Sequence, residues 1–223
     1  MLLQNIYQSA LIDSPDKTAI ILDDQSCSYH QLDLKVQEYV QKMMNLGVEK
    51  SNTVGFFSEN SLELVYLYFA CFRIGAIAVP ASYYNSPVEV EYEYEHSKVS
   101  IVFVSRKKYP EIEPLHQAHP RFKNLFIIED FDSMETSGNF SGSVQIEFSS
   151  GQPAIVLYTS GSTGKPKGVT HSHFSLYNGA LSRCSTLLQD NNSVFLTSSY
   201  LCHGAAPSIG LFPSLLSGGT TVF

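Results

Sequence analysis

The segment "AIVLYTSGSTGKPKGVTHSH", Ala154–His173, joins a short apolar run to a stretch rich in glycine, hydroxyl residues and lysine. The apolar run "AIVLY" is typical of a buried strand. The polar stretch that follows is poor material for a core, and its glycines mark a loop. A helix is expected from about Phe174, so the segment predicts a strand, a loop and a helix in that order.

The loop after this strand combines three kinds of group that bind anions. Its hydroxyls both donate and accept hydrogen bonds. Its glycines, Gly161, Gly164 and Gly168, lack Cβ, so backbone N–H groups can approach a ligand closely and form an anion-binding concavity. Its two lysines add positive charge to an acidic chain. These groups suit a polyphosphate. The candidate phosphate-binding residues are Thr159, Ser160, Gly161, Ser162, Thr163, Gly164, Lys165 and Lys167.

The loop is not a Walker A motif. That motif needs a glycine five residues before its Gly-Lys pair and a serine or threonine after it. Here Thr159 stands in the place of the first glycine, and Pro166 follows Lys165. Composition alone also allows a solvated surface loop that binds nothing, because glycine-rich segments often have no ligand.

Short apolar strands alternate with helices on both sides of this segment. Strands are predicted at "KTAIILDD", "CSYHQ", "TVGFFS", "AIAVP", "SIVFVS", "NLFIIED", "SVFLTS" and "TTVF". One helix is predicted from Ser28, with Gln31 in capping-box spacing, to Gly47. Others are predicted from Asn60, with Glu63, and in "GAAPSIGLFPSLL". This alternation predicts an α/β fold with largely parallel sheets flanked by helices.

The segment "VEVEYEYE", Val88–Glu95, fits two structures. Strict alternation of apolar and acidic residues is typical of a half-buried strand. Ser86, Pro87 and Glu89 instead form a helix start, with a cap, a proline in the first turn and a carboxylate at the third position. Four glutamates exposed to solvent also suit a helix better than a paired strand. We therefore predict a helix here.

Composition sets broader limits. The 223 residues are 43% hydrophobic and 16% charged with a formal charge of −7, and the scattered basic residues argue against a nucleic-acid-binding surface. Four widely spaced cysteines without a CxxC pair predict reduced thiols and a cytoplasmic protein. No stretch is apolar for long enough to span a membrane. The polar, serine- and glycine-rich residues 132–152 are predicted to form a loop or subdomain joint. Arg73 is predicted to form a structural ion pair.

The segment "YTSGSTGKPKGV", Tyr158–Val169, resembles without a mismatch the phosphate-binding signature of the adenylate-forming superfamily. That superfamily includes acyl- and aryl-CoA synthetases, peptide-synthetase adenylation domains and firefly luciferases. The segments "SYHQL", "FRIGAIAVP", "PVEVEYEYEHSKVSIVFVS" and "LLSGGTTVF" resemble further family blocks in the same order. The chain departs from the pattern at Ser82 and Tyr83, where the family often has Asn-Pro, and at Tyr200 and Cys202, near the family's acyl pocket.

The resemblance implies a ligase that joins a small carboxylic acid to the α-phosphate of MgATP. The acyl group then passes to CoA or to a carrier-protein pantetheine. It also implies that the loop holds the β- and γ-phosphates and that its lysines add charge. His203 is similar to the acyl-pocket histidine of acyl- and aryl-CoA synthetases; the alternative is a histidine satisfied by the backbone. The pair His171 and His173 lacks further ligands nearby and is not expected to bind a metal.

Several family segments have no match in this sequence. They are the Tyr-Gly-x-Thr-Glu segment, the ribose-binding aspartate, the hinge and the C-terminal lid domain with its lysine. We therefore expect residues 1–223 to be an incomplete N-terminal (AMP-binding) domain, without catalytic residues of its own and inactive in adenylation alone. Two alternatives stay open: a non-catalytic nucleotide-binding or protein-association module, and an amino-acid-activating adenylation domain, although a Phe-Asp-x-Ser segment is absent. The failed Walker pattern disfavours a kinase-like transferase.

Overall fold

The computed structural model describes residues 1–118, 124–135, 146–159, 164–204 and 206–223. The strands are β1 Thr18–Leu22, β2 Gln25–Ser28, β3 Thr53–Phe57, β4 Ile77–Pro80, β5 Ile101–Val104, β6 Asn124–Ile127, β7 Pro153–Thr159, β8 Lys167–Ser172, β9 Val194–Leu196 and β10 Thr220–Val222. The helices are α1 Gln8–Asp13, α2 Tyr29–Asn45, α3 Leu62–Ile74, α4 Pro87–His96, α5 Tyr109–Ala118, α6 Ile128–Phe131, α7 His173–Leu187 and α8 Phe212–Ser217. A 3₁₀ turn at Leu3–Asn5 precedes α1, and a π-helical turn at Ala206–Leu211 leads into α8.

The strands form two sheets in the described part of the chain. The larger has the order β6-β5-β3-β4-β7-β8, and the smaller has the order β2-β1-β10-β9. All neighbouring strands are parallel except β7 with β8 and β1 with β2. The predicted α/β fold with largely parallel sheets flanked by helices is therefore confirmed.

Both faces of the larger sheet are buried, so its central strands are apolar without interruption. Alternate residues of a strand point to opposite faces. Phe56 and Phe103 belong to the large core on the α3 face, whereas Phe57, Val102 and Val104 belong to a second core beneath α4 and α5. This double burial is typical of parallel sheets, whose crossover helices cover both sides.

The long helices begin as their capping residues predict, with one exception. Ser28 and Ser86 each form a capping box, with Gln31 and Glu89 respectively. Residues 88–95 are therefore helical within α4, as predicted. The prediction that Asn60 opens α3 is wrong, because the N-cap is the next residue, Ser61, whose hydroxyl accepts from the backbone N–H of Leu64 at 3.1 Å.

The side chain of Asn60 hydrogen-bonds to a distant segment instead of capping α3, as was predicted for it. Its Oδ1 accepts from the backbone N–H of Leu201 at 2.7 Å, and its Nδ2 donates to the carbonyl of Ser199 at 3.2 Å. Because both polar ends of the amide bind this distant segment, the side chain cannot also cap α3. Asn60 thus fixes the segment 199–201 against the end of β3.

Arg73 forms the predicted structural ion pair. Its guanidinium contacts the carboxylate of Asp33 on α2, and it also donates to the hydroxyl of Tyr7 at 2.8 Å. The side chains of Arg73 and Asp33 are only 19% and 14% exposed. The pair therefore connects α3, α2 and the N-terminal turn inside a largely apolar contact.

The remaining predictions concern the cysteines, membrane-spanning helices and the joint at residues 132–152. All four cysteines lie in the described ranges and are free. Among the described helices, none combines the length and the apolar character needed to cross a bilayer. The predicted joint at residues 132–152 lies partly outside the described residues, because positions 136–145 are not covered, and it stays a prediction.

Candidate functional site

The phosphate-binding candidates lie at the turn of a β-hairpin. β7 runs to Thr159, and β8 returns antiparallel to it from Lys167, with Thr159 opposite Lys167 and Tyr158 opposite Gly168. Sequence analysis placed the residues after Tyr158 in one long loop that ran to a helix, so it missed β8. The β-branched pair Val169 and Thr170 was the available signal, since such residues favour strands.

β7 ends and β8 begins at the carboxyl edge of the larger sheet. β3, β4 and β7 are parallel, so Phe57, Pro80 and Thr159 all end at this edge. Ligands of open α/β sheets bind in crevices outside the carboxyl ends of the strands. The position of the turn therefore agrees with a ligand-binding role.

The structure brings several predicted residues to one cavity at this edge. The cavity has a volume of about 740 Å³, and Thr159 and Gly164, the two flanks of the turn, line it together with His203. Ser160, Gly161, Ser162 and Thr163 lie outside the described residues. Lys165 and Lys167 are exposed and do not line the cavity.

Glycine is favoured at positions 164 and 168 for two different structural reasons. Gly164 has φ +92°, a left-handed conformation that favours glycine, and an added Cβ would meet no described atom within 4 Å. A Cβ at Gly168 would lie 3.0 Å from Val156 and 3.2 Å from the ring of Tyr158. Gly168 therefore lets β8 pack closely on β7, and its predicted part in ligand approach stays a prediction.

Helix α4 holds both arms of the hairpin. The hydroxyl of Tyr158 lies 2.7 Å from Nδ1 of His96 and 2.6 Å from the hydroxyl of Ser97, and it donates to the carbonyl of Glu93 at 3.0 Å. These contacts join the last turn of α4 to the residue before Thr159. Sequence reasoning missed them because they join residues about sixty positions apart.

Tyr92 supports the other arm. Its hydroxyl donates to the carbonyl of Pro166 at 3.3 Å, and the ammonium group of Lys165 lies 5.7 Å from the centre of its ring. A lysine over an aromatic ring is attracted by the negative face of that ring. Tyr92 therefore positions Lys165 beside the turn, while Lys167 is fixed by its strand.

The prediction that the four glutamates of α4 are exposed is wrong for Glu93, which is buried, and for Glu91, which is half-buried. Glu93 is 4% exposed and lines the cavity. Burial raises the pKa of its carboxyl group to about 7, the hydrogen bond from Asn85 opposes this rise, and the charge of Glu89 adds to it. The physical reason for the burial is helical periodicity, since Glu93 follows the buried Val90 by three residues and shares the side of α4 that faces the sheet.

His203 lies on a segment that is tied to the core. The hydroxyl of Tyr68, on α3, donates to the carbonyl of Leu201 at 3.1 Å, in addition to the contacts from Asn60. The neighbouring residues Cys202 and Gly204 line the same cavity as His203. The pocket placement proposed from the sequence is therefore compatible with the geometry.

The two places where the sequence departs from the family pattern are in contact. The rings of Tyr83 and Tyr200 are stacked with centroids 5.1 Å apart and an interplanar angle of 6°. Ser82 and Cys202, their neighbours, both line the cavity. Two of the departures, Ser82 and Cys202, thus contribute to the wall of the cavity, and the other two are stacked on each other.

The histidine pair at the end of β8 does not form a metal site with other described residues. No cluster of three or more His, Cys, Asp or Glu side chains that could hold a metal occurs in the described ranges. His171 lines the cavity. His173 is buried, its Nδ1 accepts from the backbone N–H of Leu3 at 3.3 Å, and burial lowers its pKa to about 4.

Comparison with known proteins agrees with this arrangement. A family model described as "AMP-binding enzyme" matches residues 8–223. A medium/long-chain-fatty-acid–CoA/3-oxocholest-4-en-26-oate–CoA ligase of Mycobacterium tuberculosis is 25% identical over 184 residues, covering 78% of this chain and 34% of that protein. Bacitracin synthase 1 of Bacillus licheniformis is 28% identical over 209 residues, covering 92% of this chain and 4% of that protein.

Solved structures show the same fold. The inhibitor-bound N-terminal domain of FACL13 from Mycobacterium tuberculosis superimposes with a TM-score of 0.89 at 23% identity, covering 100% of this chain and 57% of that one. The O-succinylbenzoate Coenzyme A synthetase MenE from Bacillus subtilis, in complex with ATP and magnesium, gives a TM-score of 0.83 at 24% identity. It is covered over 56% of its length, and 98% of this chain is matched.

The match over residues 8–223 identifies the class: this chain belongs to the AMP-binding enzyme family, that is, to the adenylate-forming enzymes. The chain spans about a third of the length of the Mycobacterium tuberculosis ligase named above.

Proposed function

We propose that residues 1–223 supply the phosphate-binding hairpin and one wall of the acid pocket of an ATP-dependent carboxylate–CoA ligase. In this reaction an oxygen of the carboxylate attacks the α-phosphorus of ATP, and pyrophosphate leaves to give acyl-AMP. A thiol, that of CoA or of a carrier-protein pantetheine, then attacks the acyl carbon and releases AMP. The proposal assigns the hairpin turn to the leaving diphosphate.

One observation carries this proposal. Thr159 and Gly164, which flank the glycine–hydroxyl turn, and His203 line the same cavity at the carboxyl edge of the sheet. A phosphate chain on the turn and an acid beside His203 would therefore share one space. Holding the two reactants in one geometry is a large part of what such an enzyme contributes, because it removes the entropy of a bimolecular encounter.

The residues of the turn have distinct proposed roles. Ser160, Ser162 and Thr163 would donate hydroxyl hydrogen bonds to phosphate oxygens, Gly161 and Gly164 would offer backbone N–H groups, and Thr159 would stand at the entrance. Lys165 and Lys167 would neutralise charge from either side of the turn. Donors arranged in advance toward a developing negative charge lower the barrier, because they need no reorganisation during the reaction.

The cofactor proposals rest on different observations. The turn supports ATP through its donor set, and Mg²⁺ would arrive with the nucleotide. The described residues form no cluster of carboxylate or histidine ligands, so no step is assigned to the metal. CoA, or a carrier-protein pantetheine, enters the proposal as the thiol acceptor, and a small-molecule carboxylic acid enters as the other substrate.

A second candidate is an amino-acid-activating adenylation domain. The similarity to bacitracin synthase 1, which covers 92% of this chain, favours it. The presence of His203 in the wall of the cavity favours the carboxylate–CoA ligase instead. Transfer of the activated acyl group to free CoA distinguishes the two candidates.

The test uses ATP–pyrophosphate exchange with the polypeptide encoded by the complete reading frame that contains these residues. A panel of carboxylic acids and amino acids is scored for exchange, and active acids are then scored for CoA thioester and AMP. We expect exchange with a carboxylic acid and thioester formation with CoA, and we expect no exchange from residues 1–223 alone. Exchange without transfer of the activated acyl group to free CoA would support the second candidate, and no exchange with any acid would support a non-catalytic module.

A further inference from the structure

Helix α4 presents a buried carboxylate to the cavity that the mechanism above does not use. Glu93 is 4% exposed and lines the cavity. Its Oε1 accepts from Nδ2 of Asn85 at 2.8 Å, whereas its Oε2 has no hydrogen-bond partner among the described residues. An unpaired polar group in a protein interior is unfavourable unless a partner satisfies it. A ligand that supplies such a partner would therefore bind favourably.

The charges around Glu93 indicate which kind of ligand group would be the partner of its Oε2. Two carboxylates, those of Glu89 and Glu93, line the cavity, and no lysine or arginine does so in the described ranges. Glu89 is exposed, and its Oε2 accepts from the backbone N–H and the hydroxyl of Ser86 at 2.7 and 2.8 Å. Glu93 is left as the buried acid in a described lining that holds the imidazoles of His171 and His203 but no lysine or arginine.

The carboxylate also has a fixed position relative to the phosphate hairpin. The carbonyl of Glu93 accepts the hydrogen bond from the hydroxyl of Tyr158, the residue before Thr159. Asn85 holds the side chain from the loop that leads into α4. A group fixed by two such contacts can discriminate between ligands, because binding requires little additional ordering.

We propose that this cavity selects a carboxylic acid that carries a cationic amino group, with Oε2 of Glu93 accepting from the ammonium and Asn85 orienting the carboxylate. This inference rests on the proposed function, because the carboxyl group of the same ligand would have to reach the nucleotide held by the hairpin. It names the class of substrate, and it uses a residue of α4 instead of the segment around His203.

An ammonium group fits this position better than a hydroxyl group. Both donate a hydrogen bond to the carboxylate, but only the cation also offsets its negative charge. Either hydrogen bond to the ionised carboxylate is charge-assisted, and the ammonium adds the attraction between opposite charges. The raised pKa of Glu93 agrees with a site that lacks a nearby positive charge.

The test measures binding of matched ligands to the 223-residue chain by calorimetry at pH 8. The ligands are ω-amino acids of four to eight carbons, together with the plain acids and the ω-hydroxy acids of equal length. We expect at least one ω-amino acid to bind tenfold or more tightly than both of its counterparts. Equal or weaker binding of the ω-amino acid at every length, or equal binding of the ω-hydroxy acid, would overturn the inference.

Two substitutions test whether Glu93 is the residue that causes the preference for the amino acid. E93Q keeps the shape of the side chain but removes its charge, so the preference for the amino acid should fall below threefold. E95Q makes the same change at an exposed position of the same helix and should keep the full preference. A preference that survives E93Q would overturn the assignment. If E93Q does not fold, as judged by circular dichroism, N85A must weaken the preference severalfold, and an unchanged preference in N85A would overturn it.

Pyrophosphate is titrated into the same samples. Failure of wild-type chain to bind pyrophosphate would contradict the proposed function of the hairpin. Loss of the amino-acid preference with pyrophosphate binding intact would contradict this inference alone.

Discussion

The burial of Glu93 predicts a stability that depends on pH in a specific direction. Its pKa is raised from the ordinary value of 4.5 to about 7, chiefly by burial. Between these pH values the folded chain holds this proton more tightly than the unfolded chain does. Its contribution to the free energy of unfolding is therefore fully present below pH 4.5 and is lost as the pH rises through 7.

The size of the effect follows from the same values. At about 1.4 kcal/mol for each pH unit between 4.5 and about 7, ionised Glu93 destabilises the fold by up to about 3 kcal/mol above pH 7. Glu93→Gln removes the ionisation and keeps a group that Asn85 can bind. We expect this variant to be more stable than wild type by about 3 kcal/mol at pH 8 and by much less at pH 5.

The other titratable groups that sense Glu93 do not obscure this comparison. They are Glu89, Tyr94, Tyr158 and Cys202. The pKa values of the two tyrosines and of the cysteine are raised above their ordinary values of 10 and 9, so these groups stay neutral at pH 8. The difference between the two pH values therefore reports on Glu93.

Urea unfolding at pH 5 and pH 8 measures the effect. The quantity of interest is the stability difference between Glu93→Gln and wild type at each pH. Glu95→Gln, on the exposed side of α4, serves as the matched control and is expected to change stability little at either pH. A gain for Glu93→Gln that is the same at both pH values would refute the reasoning, because it would not come from ionisation.

Two further predictions concern stability: the first tests the buried ion pair of Arg73, and the second tests the close contact of β8 with β7. Asp33→Asn should lower the free energy of unfolding by about 3 kcal/mol, because it leaves the largely buried Arg73 without its counter-charge; a loss below about 1 kcal/mol in urea unfolding would contradict this. Gly168→Ala should destabilise by about 1–2 kcal/mol, because its Cβ would lie 3.0 Å from Val156. Gly179→Ala, inside α7 with no described atom within 4 Å of the new Cβ, should instead stabilise by about 0.5–1 kcal/mol, and a similar loss in both variants would remove the packing explanation.

Much of the fold could be predicted from the sequence because its signals are local. Ser28 and Ser86 cap helices through residues three positions later, and the apolar strands of the parallel sheet are short and bounded by loops. Residues 88–95 show where two local signals compete. Their alternation favours a strand, but the capping box and the proline at the helix start favour a helix, and the helix forms.

The errors arise where a distant contact decides the outcome. Asn60 and Ser61 are both good N-cap residues, and Asn60 is excluded only because it binds the backbone of Ser199 and Leu201. β8 pairs with the edge of β7 that lies away from β4, and the β-branched pair Val169 and Thr170 was a weak local signal for it. Glu93 is buried where α4 packs against the sheet near Tyr158, a contact that the local sequence does not reveal.

The candidate site also has one part that a local motif reveals and one part that distant contacts assemble. The phosphate-binding segment is contiguous, so its motif could be recognised without a structure. The cavity is assembled from β4, α4, β7 and the segment around His203, and the selectivity that we propose depends on Glu93 and Asn85. Glu93 lies within the family block that begins at Pro87, but the resemblance assigned it no role, and Asn85 lies outside the quoted blocks.

The central claim is that the turn between β7 and β8 binds the diphosphate of a nucleotide. The most direct measurement is calorimetric titration of pyrophosphate into the 223-residue chain and into a variant with alanine at Ser162, Thr163 and Lys167. Lys50→Ala serves as the control for charge, because Lys50 precedes β3 at the opposite edge of the sheet. We predict that the triple variant binds pyrophosphate at least tenfold more weakly and that Lys50→Ala binds it as wild type does. Equal affinity in the wild type and the triple variant would contradict the account.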